Sequence, residues 1–159
     1  TRKAGTEMPS LKERLQDDLK AAMRAKEVDR RDTVRLLISE VKKKEIDLKR
    51  ELEPADEIQL LQGQAKQRRD SIEQFRAGGR EDLVAKEEGQ LAIIESYLPQ
   101  QMTDEELAAF VEEGISRAGA TGPRDMGKVM GMLSKAADGR VEGRRLSEAV
   151  RVRLAELGS

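Results

Sequence analysis

The sequence predicts an all-α protein, and three observations carry that prediction. Aromatic residues make up 2% of the chain and charged residues 38%, so the core must be assembled from Leu, Ile, Val, Met and Ala, a mixture better suited to helices than to a pleated sheet. Apolar residues recur at intervals of three and four. Glycine and proline gather at a few points between the periodic stretches, where they end one helix and admit the next. At 159 residues the chain can form one domain or two small ones around a modest core.

Seven helices follow in order. Ser10 is placed to cap the first, which aligns Leu11, Leu15, Leu19 and either Ala22 or Met23 on one face. KEVDRRD interrupts it, and a second helix carries Val34, Leu37, Ile38, Val41, Leu48 and Leu52 up to Pro54, with the strongly charged KKKEIDLKRE in its middle. The third, from about Ala55 to Ala77, shows Ile58, Leu61, Ala65, Ile72 and Phe75, with one break in the apolar stripe at Arg68. AGGRED supplies two glycines to close that helix and acids to begin the next. The fourth helix carries Leu83, Leu91, Ile94 and Leu98, and its stripe breaks at Glu87. An antiparallel hairpin about Gly78 and Gly79 brings Arg68 and Glu87 within a turn of one level, so the two charges are expected to pair rather than face a ligand.

Pro99 disfavours helical geometry at Leu98 and ends the fourth helix there. MTDEEL then reads as a capping box, with Thr103 and Glu106 satisfying one another's backbone amides and Met102 stapled to Leu107. Tyr97, the only tyrosine, is expected to cover this joint with its ring and leave its hydroxyl to water or a backbone partner; base stacking is the alternative, although that usually draws on several aromatics. A fifth helix with Leu107, Phe110, Val111 and Ile115 stops at Gly119. Pro123 suits a first helical turn. The sixth, DMGKVMGMLSKAA, presents Met126, Val129, Met130 and Leu133, with Gly127 and Gly131 four apart, and the seventh presents Leu146, Val150, Leu154 and Leu157. The expected organisation is a helical domain over 8–99 and a compact three-helix domain over 102–159. Residues 1–7, TRKAGTE, carry no apolar period and read either as an expression remnant or as an upstream extension, outside the fold.

Function classes are narrowed by what the chain lacks. It has no Cys and no His, which removes thiol nucleophiles, disulfides, zinc sites built on those residues and imidazole bases. No cofactor and no metal site is expected. No apolar run reaches the ~20 residues of a membrane span, and no signal-peptide pattern opens the chain, so the expectation is a cytoplasmic monomer with no membrane partner.

The strings KQRRDSIEQFRAGGREDL, KEEGQLAIIESYLPQQMTDEEL and DMGKVMGML, in this order and spacing, resemble the YqeY-like proteins, small bacterial members of the GatB/YqeY group. Lys66, Gln67 and Arg68 match that family's KQR string, Arg80, Asp82 and Leu83 its R-x-D-L, and Tyr97, Leu98 and Pro99 its YLP; Gly89 and Gln90 depart from it, standing where acidic residues or alanine are common. The stretch from Asp125 onward also resembles the tail domain of the B subunit of the tRNA-dependent amidotransferase, in its Gly-Lys-Val-Met-Gly run and the Gly-rich turn that follows. The resemblance implies an all-helical fold with a larger N-terminal part and a three-helix C-terminal part. It also implies a link to transfer RNA, through binding of tRNA or of amidotransferase and aminoacyl-tRNA-handling proteins.

It supplies no active site. The Ser/Lys constellation that releases ammonia from glutamine and the cradle that binds ATP belong to other parts of the amidotransferase, and GKVMG lacks the glycine spacing and hydroxyl of a phosphate loop. Asp82 with Glu87, or Glu87 with Glu88, could form a general acid and base pair, but no nucleophile accompanies either. Gly127 and Gly131 are expected to admit a neighbouring helix, with Val150 or Leu154 packed over them, and the methionines around them to be core rather than a binding groove.

Charge is segregated. Residues 103–116 hold five acids and no base, whereas 117–153 hold nine bases against four acids, an excess of five. Lys128, Lys135, Arg140, Arg144, Arg145 and Arg151 are the candidates for contacts to RNA phosphates, and a solvated helix face is the alternative. The function expected is a non-catalytic helical accessory module that binds tRNA or a tRNA-handling complex; participation in glutamine-dependent amide formation with partner subunits, and a protein-binding adaptor role, are the other readings. The purified chain is expected neither to release ammonia from glutamine nor to hydrolyse ATP. A glutaminase assay in which turnover is abolished by one substitution in this chain would refute that expectation.

Overall fold

A computed structural model of the protein describes residues 9–159; the segment 1–7, read above as outside the fold, lies outside the described residues. Among the described residues the chain forms seven α-helices and no strand: α1 (Leu11–Ala25), α2 (Val28–Leu48), α3 (Pro54–Ala77), α4 (Glu81–Glu95), α5 (Asp104–Ala118), α6 (Met126–Ala137) and α7 (Gly143–Leu157), with one 3-10 turn at Pro123–Asp125. The fold is all-α. It divides into two compact units between Leu98 and Pro99.

The N-terminal unit pairs α1 with α2 and α3 with α4 as two hairpins, which meet through α2 and α4. Ser10 and Glu13 form a capping box at the start of α1, where each residue satisfies an amide that the helix leaves open. The core of the unit contains Leu11, Leu15, Val34, Leu37, Val41, Leu61, Ala65 and Ile94, and burial of each large aliphatic side chain contributes about 1.5–3 kcal/mol. On α1 it is Ala22 that is buried; Met23 is exposed.

Two sequence expectations shift here. The second helix does not run on to Pro54: it stops at Leu48, where Lys49 takes φ 59°, and the segment beyond is held by Arg50, which donates to Asp56 at 2.6 Å. Leu52 is still buried, so its apolar spacing reflects a place in the core without a place in the helix. On α4 the fully buried residue near the hairpin turn is Val84, while Leu83 is only half-buried.

The C-terminal unit is a three-helix body built on α5, α6 and α7. Thr103 and Glu106 close a capping box, and Met102 and Leu107 share the core with Val111, Ile115, Val129, Leu133, Leu146, Val150 and Leu154. Gly119 ends α5 at φ 66°, a conformation that glycine adopts without strain. The glycines expected to admit a helix are not the ones that do. A Cβ on Gly127 or Gly131 would meet nothing within 4 Å, whereas a Cβ on Gly114 of α5 would lie 2.4 Å from Leu133 Cδ2. Close approach therefore occurs between α5 and α6 at Gly114, because α6 turns Val129 and Leu133 inward and its glycines away from the core.

Opposite signs of stability change follow. Gly114→Ala is expected to destabilise the C-terminal unit, since overpacking costs about 1–3 kcal/mol and the gain in helix propensity of about 1 kcal/mol offsets only part of it. Gly131→Ala is expected to stabilise by about 0.5–1 kcal/mol. Thermal melts of the two variants check both signs.

Candidate functional site

The α3–α4 hairpin carries most of the residues that the sequence singles out in the N-terminal unit. Gly78 and Gly79 form its turn, Gly79 at φ 72°. Lys66 pairs with Asp70 one turn on at 3.0 Å, on the exposed side. Gln67 Oε1 accepts from Arg68 Nη2 at 3.4 Å. Arg68 points into the seam, where Nη1 donates to Gln90 Oε1 at 2.8 Å and Nε lies 3.6 Å from Glu87 Oε2. The two side chains are only 15% and 17% exposed. The Arg68–Glu87 contact is an ion pair without a hydrogen bond, and both Arg68 Nε and Glu87 Oε2 are buried with no hydrogen-bond partner. Gln90 is the residue that reasoning from apolar stripes missed. It stands eleven residues after Gly79, as Arg68 stands eleven before it, so strict counting about the turn would have placed them opposite one another.

Arg80 and Asp82 form a two-bonded pair at the start of α4, Nε to Oδ1 at 3.2 Å and Nη2 to Oδ2 at 3.1 Å. The hydrogen bond from Arg80 holds the Asp82 carboxyl below its ordinary pKa. Asp82 and Glu87 thus each have an arginine partner, and neither is placed as the free acid or base of a catalytic pair.

Tyr97 does not leave its hydroxyl to water or to a backbone partner. The residue is 6% exposed and belongs to the core of the N-terminal unit with Leu98. Its hydroxyl donates to the Asp18 carboxylate on α1, and the Arg14 guanidinium lies 5.1 Å from the ring centroid. Burial, with the Asp18 hydrogen bond and charge beside it, pushes the phenol pKa well up, so the hydroxyl stays a proton donor. The chain turns after α4 and directs Tyr97 back against α1, which leaves no open ring face for a base. Pro99 follows in the second unit, where Gln101 Nε2 donates to its carbonyl at 2.7 Å.

In the C-terminal unit the segregated charges are reunited by folding. Arg145 donates to the Met102 carbonyl at 2.8 Å and to Asp104 at 2.6 Å, and Arg140 donates to the Gln100 carbonyl at 3.0 Å and to Glu106 at 3.2 Å. Arg153 is bound by Glu112 and Glu156, Arg117 by Glu113 and Arg151 by Glu148. Across 99–159 the chain has nine cations and ten carboxylates, a formal charge of -1. Of the six phosphate-contact candidates, Arg140 in the turn before α7 and Arg145 in the first turn of α7 hold the entry to α5, and Arg151 is occupied by a neighbour on its own helix. Arg144 lies on the exposed first turn of α7. Lys128 and Lys135 stand on the exposed face of α6 and make no ion pair within 4.0 Å among the described residues. Among the described residues no group of His, Cys, Asp and Glu could hold a metal ion, and no helix is long and apolar enough to cross a membrane.

Glu87→Ala is expected to destabilise the N-terminal unit by about 3 kcal/mol, the low end for a buried pair broken from one side, because Arg68 keeps only its glutamine partners. Arg68→Met with Glu87→Leu should recover much of that loss, whereas Glu95→Ala, which removes a half-exposed partner of Arg69 at 3.3 Å, should cost under about 1 kcal/mol. Denaturant melts of the three variants check the order.

Comparison with known proteins identifies the family. The family model described as Yqey-like protein matches residues 12–154. Among similar curated proteins, altered inheritance of mitochondria protein 41 of Saccharomyces cerevisiae strain S288c is 44% identical over 96 residues, covering 58% of this chain and 51% of the relative. Its counterpart in Eremothecium gossypii is 39% identical over 115 residues, covering 67% and 62%. The chain thus spans about half the length of most of the curated relatives it matches. These relatives are named as mitochondrial proteins and come from fungi, which overturns the expectation of a purely cytoplasmic protein of bacterial type: helix spacing and the lack of a membrane span say nothing about the compartment to which a chain is delivered. Matched over nearly all of its described length, the chain belongs to the YqeY-like family.

Proposed function

We propose that the chain is an accessory module that takes tRNA on the exposed face of α6. The observation that carries this reading is the line formed by Lys128, Gly131 and Lys135. These positions are spaced three and four apart, so they share one face over two turns, and all three are exposed. None of the three is packed into the core, and Lys128 acts on the fold only as a charge near Asp125, whose carboxyl it helps hold below its ordinary pKa. A Cβ at Gly131 would touch nothing within 4 Å, and neither lysine is engaged in an ion pair within 4.0 Å among the described residues. A glycine inside a helix costs about 0.5–1 kcal/mol relative to alanine, and packing gives nothing in return at this position. A bare strip between two ammonium groups lets a sugar-phosphate backbone approach the helix closely, with a cation on either side.

Resemblance of this segment to the amidotransferase tail supports tRNA as the ligand. The same resemblance keeps open a part in glutamine-dependent amide formation, in which partner subunits would supply the chemistry and this face the RNA. The nearly balanced charge of the C-terminal unit indicates binding that is modest and local.

Filter binding of tRNA over a range of salt concentrations tests the reading. Affinity is expected to fall as salt rises, and Lys128→Glu with Lys135→Glu should weaken binding and flatten the log-log slope by roughly two, about 0.9 for each phosphate no longer neutralised. Gly131→Leu should weaken binding while the unit stays folded. No binding at low salt, or binding indifferent to all three changes, would refute the RNA reading and leave a protein-binding adaptor.

A further inference from the structure

A cleft of about 430 Å3 opens between α2 and α4 in the N-terminal unit, within the size range of small-molecule sites. Asp29 and Asp32 stand on its α2 wall and Lys86 on its α4 wall, with buried Thr33 and half-buried Gln90 deeper in. Asp32 is engaged by the Arg31 guanidinium at 2.9 Å. Asp29 and Lys86 are not engaged: among the described residues neither makes an ion pair within 4.0 Å, with the other or with any third group. One carboxylate and one ammonium thus line the same cleft from two helices and leave each other unneutralised.

The neighbours of these two charges divide the cleft into a donor side and an acceptor side. Gln90 follows Lys86 by one turn of α4. Its Oε1 is taken by Arg68 Nη1 at 2.8 Å, and because a guanidinium only donates, the amide must keep its oxygen toward Arg68. The Nε2 group is the end left for the cleft, so Lys86 and Gln90 together offer donors alone. Thr33 follows Asp29 by one turn of α2, and its hydroxyl donates to the Asp29 backbone carbonyl at 2.9 Å. With that proton committed, the Thr33 oxygen offers lone pairs, so Asp29 and Thr33 offer acceptors alone. Gly89, between the donors, also lines the cleft, and a Cβ there would meet nothing within 4 Å. Glycine weakens a helix relative to alanine, and here its missing side chain leaves the cleft open.

We propose that this cleft binds a small zwitterion, with its carboxylate held by Lys86 and Gln90 and its ammonium by Asp29 and Thr33. The site is independent of the RNA reading, since its residues lie in the other unit. Charge-assisted hydrogen bonds at both ends would make recognition depend on the ligand carrying both charges, and the spacing of the two walls selects among zwitterions of different length.

The test is a titration of the 15N-labelled full chain, followed by amide chemical shifts, with L-alanine, L-glutamine, β-alanine, 4-aminobutyrate and glycylglycine at millimolar concentration. Each is paired with its N-acetylated and its carboxamide derivative. At least one zwitterion is expected to shift the amides of Thr33, Gly89 and Gln90 saturably, and both of its blocked derivatives should bind about tenfold more weakly or less, as expected when one charge-assisted hydrogen bond is removed. Asp29→Asn and Lys86→Met should each weaken binding by a similar factor. Gly89→Leu should abolish it while raising the melting temperature, which separates a filled cleft from an unfolded unit. Absence of a saturable shift with all five compounds, equal binding of a blocked derivative, or unchanged binding to the Gly89→Leu chain would overturn the proposal.

Discussion

The burial of the Arg68 guanidinium in the seam between α3 and α4 is the constraint around which the N-terminal unit is arranged. A cation taken from water must be met by charge and by hydrogen-bond acceptors. Two residues of α4 divide these roles, Glu87 supplying the charge at 3.6 Å and Gln90 the acceptor at 2.8 Å. Neither does both. Since the partners lie on the facing helix, the hairpin must keep its register for the arginine to stay neutralised, and the Gly78–Gly79 turn, with φ 72° at Gly79, sets that register. Apolar contacts in a helical pair tolerate sliding, whereas a buried ion does not.

A directed polar bond fixes the unit at a second place, in milder form. Tyr97 follows the hairpin and donates to Asp18 on α1, so the segment after α4 is fastened to the first helix by a directed bond as well as by its ring. Together Arg68 and Tyr97 give a core poor in aromatics the specificity that interlocking rings supply elsewhere. One consequence reaches the surface: by claiming the oxygen of Gln90, Arg68 decides which end of that amide faces the cleft between α2 and α4.

The C-terminal unit solves a different problem. Its acids come early and its bases late in the sequence, and the three-helix arrangement brings them together, with Arg140 and Arg145 reaching back to the residues that open α5. Each of these arginines binds a backbone carbonyl as well as a carboxylate, a use suited to a planar group with five donors. What survives on the surface is a small basic feature on α6, with lysines where the fold employs arginines.

Local chemistry was enough to determine the number and order of the helices, two of their N-terminal caps and the family, though not the end of α2 at Leu48. Ser10 with Glu13 and Thr103 with Glu106 mark helix starts by side-chain reach alone, Gly78, Gly79 and Gly119 mark turns by conformation, and the periodic Leu, Ile and Val positions mark the faces that must be buried; each depends on residues within about four positions of one another. The opposed charges of Arg68 and Glu87 were legible too, because a hairpin converts distance along the chain into simple counting. Only the tertiary structure decided that Gly114, and not Gly127 or Gly131, admits a neighbouring helix, that Tyr97 reaches Asp18, that Arg140 and Arg145 bind the residues that open α5, and that Asp29 and Lys86 line one cleft. These depend on which way a helix is rotated against partners tens of residues away, and a single sequence holds that rotation only as the sum of many small packing preferences, none of which names the partner.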